Sequence, residues 1–150
     1  MNEMTWLRAY VERLLSELWG VPEVAADDDG DYPFRMGTAA AWVRLEAWPT
    51  PTVRVFAHAA SGVRRSARML AELNDLSARS RLGSVYWVNG TVVCSYAVDA
   101  RAVDGEVLGQ ILAAVGGCAG EVGTLIAAVF GGATPFDADE PTHHQDEDVA

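Results

Sequence analysis

Residues 39–59 read AAAWVRLEAWPTPTVRVFAHA, and their alternation decides the fold. Successive side chains of a β-strand point to opposite faces. In Ala39–Trp48 the small and aliphatic Ala41, Val43, Leu45 and Ala47 fall on one side, with Trp42, Arg44, Glu46 and Trp48 on the other. Pro49-Thr50-Pro51 is a rigid turn. Thr52–Ala59 then repeats the pattern, Val53, Val55 and Ala57 opposing Arg54, Phe56 and His58. Two strands joined this way form an antiparallel pair with unlike faces. One face suits packing against helices. The other mixes aromatic rings with arginines.

Upstream, Tyr32–Met36 reads as a short strand whose Pro33 places it at an edge or a start. Short connections make the three strands a meander. Before them, Trp6, Leu7, Tyr10, Val11, Leu14, Leu15 and Leu18 recur at three- and four-residue spacing. That predicts an amphipathic helix over Thr5–Trp19, with Thr5 as N-cap and Gly20 and Pro22 as its stop. Downstream, Arg64–Arg79 reads as a second helix. Val85–Asn89 and Thr91–Val98 read as strands joined at Asn89-Gly90, the pair suited to a type I′ hairpin turn. A third helix is predicted from Gly105 or Glu106 to Val129. Its Gly116, Gly117, Gly120 and Gly123 each cost up to about 1 kcal/mol relative to Ala. Either something packs close there, or the helix kinks or breaks. The predicted fold is α+β: a five-stranded antiparallel sheet in the order α-βββ-α-ββ-α, with helices packed mainly on one side.

The chain has 150 residues, half of them apolar and 21% charged, which fits one soluble domain. The formal net charge is −10. That argues against nucleic acid and against docking on anionic lipid. All basic residues are Arg, so chemistry that depends on Lys is excluded. Charges at Glu3, Arg8, Glu12 and Arg13 interrupt any signal-peptide core. The apolar run 107–130 contains Gln110 and Glu121 and is followed by acidic residues, so it reads as a buried helix and not as a membrane span. A cytoplasmic protein with no membrane partner is expected. Residues 1–132 form the expected domain. Residues 133–150, with six acidic residues and no Arg, are expected to be a disordered acidic tail dispensable for folding.

No catalytic, cofactor-binding or metal-binding set is readable. Asp27, Asp29 and Gly30 suggest calcium, but an EF-hand register would place Ala25 first and Met36 twelfth, where carboxylates are required. His143-His144 beside Asp146, Glu147 and Asp148 reads as solvated tail. The sequence holds no GxSxG, HExxH or CxxC. Gly116–Gly120 lies within a helical run and does not follow a strand, so it is no phosphate cradle. Cys94 and Cys118 lie far apart and each reads as a small buried hydrophobe. An enzyme is not expected.

The remaining candidate is the mixed face. Aromatic residues and Arg mark interface hot spots, so Trp42, Arg44, Trp48, Arg54 and Phe56 are the candidate partner-binding residues. The competing reading is that the first or third helix covers these rings and they belong to the core.

The segments YPFRMGTAAAWVRLEAWPTPTVRVFAHA and LAELNDLSARSRLGSVYWVNGTVVCSYAVDA, with the long Ala/Gly-rich helix ending in FGG, resemble the type III secretion chaperone-like fold. More closely, they resemble the YbjN-like, CesT-related peptide-binding chaperone families of actinobacteria. The Leu73-Asn74 pair and the VYWVNGTVV hairpin are the most family-like pieces. The resemblance spans about Met1 to Gly132 and rests on fold motifs. It implies a non-enzymatic chaperone or adaptor that binds a peptide or extended protein segment, commonly as a homodimer. Alternatively, it implies a regulatory, sensory-transduction-like interaction protein acting as a dimer.

Overall fold

A computed structural model describes residues 2–80 and 83–138. Along the chain lie α1 (Glu3–Trp19), β1 (Tyr32–Met36), β2 (Ala39–Glu46), β3 (Thr52–Ala60), α2 (Ala67–Arg79), β4 (Ser84–Val88), β5 (Thr91–Asp99) and α3 (Gly105–Phe130). A 3-10 turn over Ala100–Ala102 precedes α3. This is the predicted α-βββ-α-ββ-α order. The five strands form one antiparallel sheet in the spatial order β1-β2-β3-β5-β4. The hairpin joins the meander through β5. Val92 and Cys94 of β5 are buried, while Ser84, Tyr86 and Val88 of β4 are exposed, so β4 is the strand that tolerates an edge. Asn89 and Gly90 both take positive φ, 48° and 88°, as the type I′ turn requires.

Several element ends differ from the sequence reading, for local reasons. Asn2, not Thr5, caps α1: its side chain accepts from the Thr5 backbone N–H at 2.8 Å and from the Thr5 hydroxyl at 2.9 Å. The helix therefore starts at Glu3. Helix α2 starts at Ala67 and not at Arg64, because Ser66 caps it by accepting from Met69 N–H at 3.1 Å.

All three helices serve one face of the sheet. Val43, Val53, Val55 and Ala57 are completely buried there. Helix α1 reaches Tyr32 through Arg8 and Glu12, and its Trp19 ring sits 5.8 Å from Phe34. Burial and the Glu12 hydrogen bond push the Tyr32 phenol well above its ordinary pKa, so it stays protonated. Ser77 of α2 bonds both the N–H and the carbonyl of Val85. Helix α3 is long and apolar enough to cross a membrane by length and composition. Here its Leu108, Ile111, Leu112, Val115, Ala119, Val122 and Ile126 are buried.

The glycines of α3 divide into two kinds, and the helix runs unbroken through them. A Cβ at Gly123 would lie 2.1 Å from the Ala59 carbonyl oxygen, and one at Gly116 would lie 2.5 Å from Met36 Cγ. Gly123 lets the helix sit on the sheet backbone, and Gly116 makes room for the Met36 side chain. Gly117 and Gly120 have nothing within 4 Å.

Contacts with the domain continue past Gly132, where its end was expected. Ala133 exchanges both backbone hydrogen bonds with Ser61, each 2.9 Å. Phe136 N–H donates to the Thr38 carbonyl at 3.1 Å. Arg35 donates to the Asp137 carbonyl at 3.1 Å and lies 4.2 Å over the Phe136 ring. Residues 133–137 are therefore docked on the domain. The rest of the expected tail, 139–150, including His143, His144 and five of the six acidic residues, lies outside the described residues.

Candidate functional site

The face opposite the helices is built by cross-strand register. Trp42 of β2 pairs with Phe56 of β3, Arg44 with Arg54, and Ala40 with His58. On the far side of β3, Phe56 pairs with Ser95 and His58 with Val93. Pro33 of β1 pairs with Trp42. Directly opposed side chains on one face come within contact distance. The Trp42 and Phe56 rings accordingly stack, with centroids 5.3 Å apart and planes at 18°. His58 lies 4.6 Å from Trp42 and 6.3 Å from Phe56. All three rings are half-buried. Burial lowers the His58 pKa from its ordinary value, so the imidazole is held neutral.

The helix contacts described above fall on Tyr32, Phe34, Met36, Ala59 and Val85, and none of them falls on Trp42, Phe56 or His58. The reading in which α1 or α3 covers Trp42 and Phe56 is thus overturned. Among the described residues, Asp31 from the loop before β1 and the segment 134–137 reach the open face, with Phe136 at the Arg35 corner.

The arginines are already engaged. Arg44 gives Nε and Nη2 to the two carboxylate oxygens of Asp31, at 3.0 and 2.7 Å. That fork holds its guanidinium 4.6 Å above the Phe56 ring. The same hydrogen bonds raise the Arg44 pKa further. Arg54 gives Nε to Glu46 at 2.7 Å and Nη1 to Ser95 Oγ at 3.1 Å. The result is a ladder of π-surfaces, flanked by ion pairs whose charge is internally balanced.

Four of the five candidate residues, Trp42, Arg44, Arg54 and Phe56, are thereby brought together. Trp48 is not part of the ring ladder. Strand β2 ends at Glu46, so the pleat that would have carried Trp48 onto this face has stopped. Trp48 instead stands in the β2–β3 turn, before the cis peptide to Pro49, and is 85% exposed. Sequence reading missed Asp31, Ser95 and Phe136 as parts of the face. Asp31 precedes β1 at the parity of Pro33 and Arg35, a signal that strand alternation could have supplied. Phe136 depends on the return of the chain after α3, which no local pattern announces.

A second concavity of about 410 Å³ opens between α1 and the end of β5. Trp6, Tyr10, Pro51, Arg101 and Val103 line it. Trp6 is 55% exposed and stacks on Tyr10 at 5.1 Å. Tyr10 is fixed by its hydroxyl donating to the Val103 carbonyl at 3.0 Å. Arg101 forms a bidentate pair with Asp99, which holds that carboxyl down at about 2.

The family model described as T3SS (YopN, CesT) and YbjN peptide-binding chaperone 1 matches residues 5–138. No curated protein matches the sequence. Among solved structures, a chain of the ExsC–ExsE complex superposes with a TM-score of 0.66 at 17% identity, covering 84% of this chain and 97% of that one. A chain of the HopA1–SchA chaperone–effector complex superposes with a TM-score of 0.62 at 10% identity, covering 86% of this chain and all of that one. These likenesses show the shared α+β fold.

Proposed function

Because the chain belongs to the family of type III secretion and YbjN peptide-binding chaperones, we propose that it is a non-enzymatic chaperone or adaptor that binds a peptide or an extended segment of a partner protein. The partner-binding residues in this reading are Trp42, Arg44, Arg54 and Phe56 on the open face, with Trp48 at its rim. The observation that carries the reading is the placement of the Trp42–Phe56–His58 ladder on the face that, among the described residues, receives no helix. A half-buried aromatic patch rimmed by polar groups is the anatomy of an interface core. An extended segment lying across β2, β3 and β5 would complete the burial of the rings. Both solved relatives named above are complexes, one described as chaperone with effector, and this agrees with a segment-binding role. On the resemblance of the sequence, we place the protein in the cytoplasm of an actinobacterium. We also infer a homodimer, supported by Leu125 and Val129 of α3 remaining 43% and 50% exposed.

The test begins with a pull-down from the native cytosol, read by mass spectrometry, followed by affinity measurement with the identified segment. Phe56→Ala is expected to weaken binding by about 2 kcal/mol or more, as interface aromatics do. Trp6→Ala, in the second concavity, is expected to leave affinity unchanged. The reverse pattern would move the site to α1.

A further inference from the structure

Two cysteines that lie 24 residues apart in the chain meet across the helix–sheet interface. Cys94 sits on β5, on the helix-facing side, opposite Ala57 on one neighbouring strand and Val85 on the other. Cys118 comes down onto it from α3, and the two sulfurs are 3.9 Å apart. A disulfide bond is about 2.05 Å long, so closing it draws the sulfurs together by roughly 2 Å. Cys94 is buried behind Cys118, which is half-buried.

We propose that Cys94 and Cys118 are a redox-active pair that an alkyl or hydrogen peroxide converts to an intramolecular disulfide, tying α3 to β5. The assignment of roles follows from position. Cys118 is the thiol a peroxide can reach. Its sulfur attacks the O–O bond, gains a hydroxyl as the sulfenic acid, and releases the alcohol or water. The Cys94 sulfur then attacks the Cys118 sulfur, loses its proton and expels water. Two thiols and one peroxide give one disulfide, one alcohol (or water) and one water. The two electrons lost by the sulfurs are those gained by the peroxide.

The electrostatics of the pair run the same way. When Cys118 ionises, the Cys94 thiol can donate to the thiolate, which pulls the Cys118 pKa below its ordinary value. The same hydrogen bond, with burial, pushes the Cys94 thiol up and keeps it protonated as the resolving partner. The pair faces the helix layer and is separate from the Trp42–Phe56 face, so this inference does not depend on the proposed binding site.

The test uses the full chain in its folded state, treated with a small excess of hydrogen peroxide and quenched by a thiol-alkylating reagent. Both thiols are expected to disappear together, with an intact mass lower by two hydrogens. The Cys94 and Cys118 peptides should be recovered as one linked species, and dithiothreitol should reverse the change. A new intramolecular link across this loop is expected to raise Tm by about 10 °C. Cys94→Ala is expected to let Cys118 proceed to the sulfinic acid, because nothing resolves the sulfenic acid. Persistence of both thiols in the wild-type chain, wild-type oxidation that stops at a sulfinic acid on Cys118, or a link between two chains would each overturn the proposal. The wild-type outcome alone decides if the variant fails to fold.

Discussion

The contrast between Gly123 and Gly120 in α3 tests the helix–sheet packing on which the open face depends. Within a helix, Gly→Ala contributes about 1 kcal/mol of stability where the added methyl meets nothing. Gly120 has no atom within 4 Å of its would-be Cβ, so Gly120→Ala is expected to stabilise by about that amount. At Gly123 the same methyl would lie 2.1 Å from the Ala59 carbonyl oxygen and 2.8 Å from its carbon. Both are backbone atoms of β3, which give way less readily than the end of a flexible side chain. The helix itself must lift, loosening the contacts that Val122 and Ile126 make beside it. Overpacking of this kind costs about 1–3 kcal/mol or more, and the propensity gain offsets only part of it. Gly123→Ala is therefore expected to destabilise by about 2 kcal/mol, some 3 kcal/mol apart from Gly120→Ala. Urea unfolding read by circular dichroism supplies both values, provided the slopes match. Equal and favourable shifts in the two variants would refute the close approach of α3 to Ala59.

Three further outcomes follow from contacts described above. A chain ending at Gly132 loses the Ser61–Ala133 pair and the Arg35 contacts, and is expected to be less stable by about 2 kcal/mol. A chain ending at Ala138 is expected to keep its Tm; we propose this as the domain end, and equal Tm values for the two truncations would return it to Gly132. His58 has a folded pKa below its unfolded one, so as pH falls through about 6.5 the unfolded chain takes up the proton first and stability declines. His58→Gln should flatten the Tm profile between pH 5 and pH 7.5 (on the order of one His titration), and an unchanged slope would assign it to other groups. Finally, light scattering should report a homodimer; a 16.1 kDa species at every concentration would exclude it.

What the sequence made legible is what period and turn chemistry encode. The switch from 3.6-residue to 2-residue spacing between Leu18 and Tyr32, the alternation through Trp42 and Phe56, and Asn89-Gly90 were enough for the element order and for the two unlike sheet faces. Strand order was not legible. Whether β4 or β5 joins β3 depends on which of them can leave a face wet, and that emerges only when Val92 and Cys94 find the core. Trp48 shows the limit of alternation: parity predicts a face only as far as the strand continues, and β2 ends two residues earlier. The question of what covers the rings needed the third dimension as well, because the same Trp and Phe pattern serves a core or an interface. Cys94 and Cys118 are the sharpest case. Each looked like an isolated small hydrophobe, and only the crossing of α3 over β5 makes them neighbours.

The pairing of the open-face arginines bears on how the proposed site would choose a segment. Had Arg44 and Arg54 been free, the face would select by charge and attract acidic peptides. Instead Asp31 occupies the Arg44 fork on both oxygens, and Glu46 with Ser95 occupies Arg54. Asp31 is itself 5% exposed as a side chain, so withdrawing Arg44 from it would leave a carboxylate unpaired out of water. Leaving that carboxylate without its partner costs more than a half-exposed guanidinium gains from a new surface carboxylate. Arg44 thus stays where it is, and its contribution is the flat underside it lays on Phe56. Selection then falls to shape and to the desolvation of the rings. A segment presenting aliphatic or aromatic side chains at every second residue would meet Trp42, Phe56 and His58 in turn, and a charged one would find no vacant counter-ion among Arg44 and Arg54. That restricts the proposed partners to extended apolar stretches, which a chaperone must shield from water.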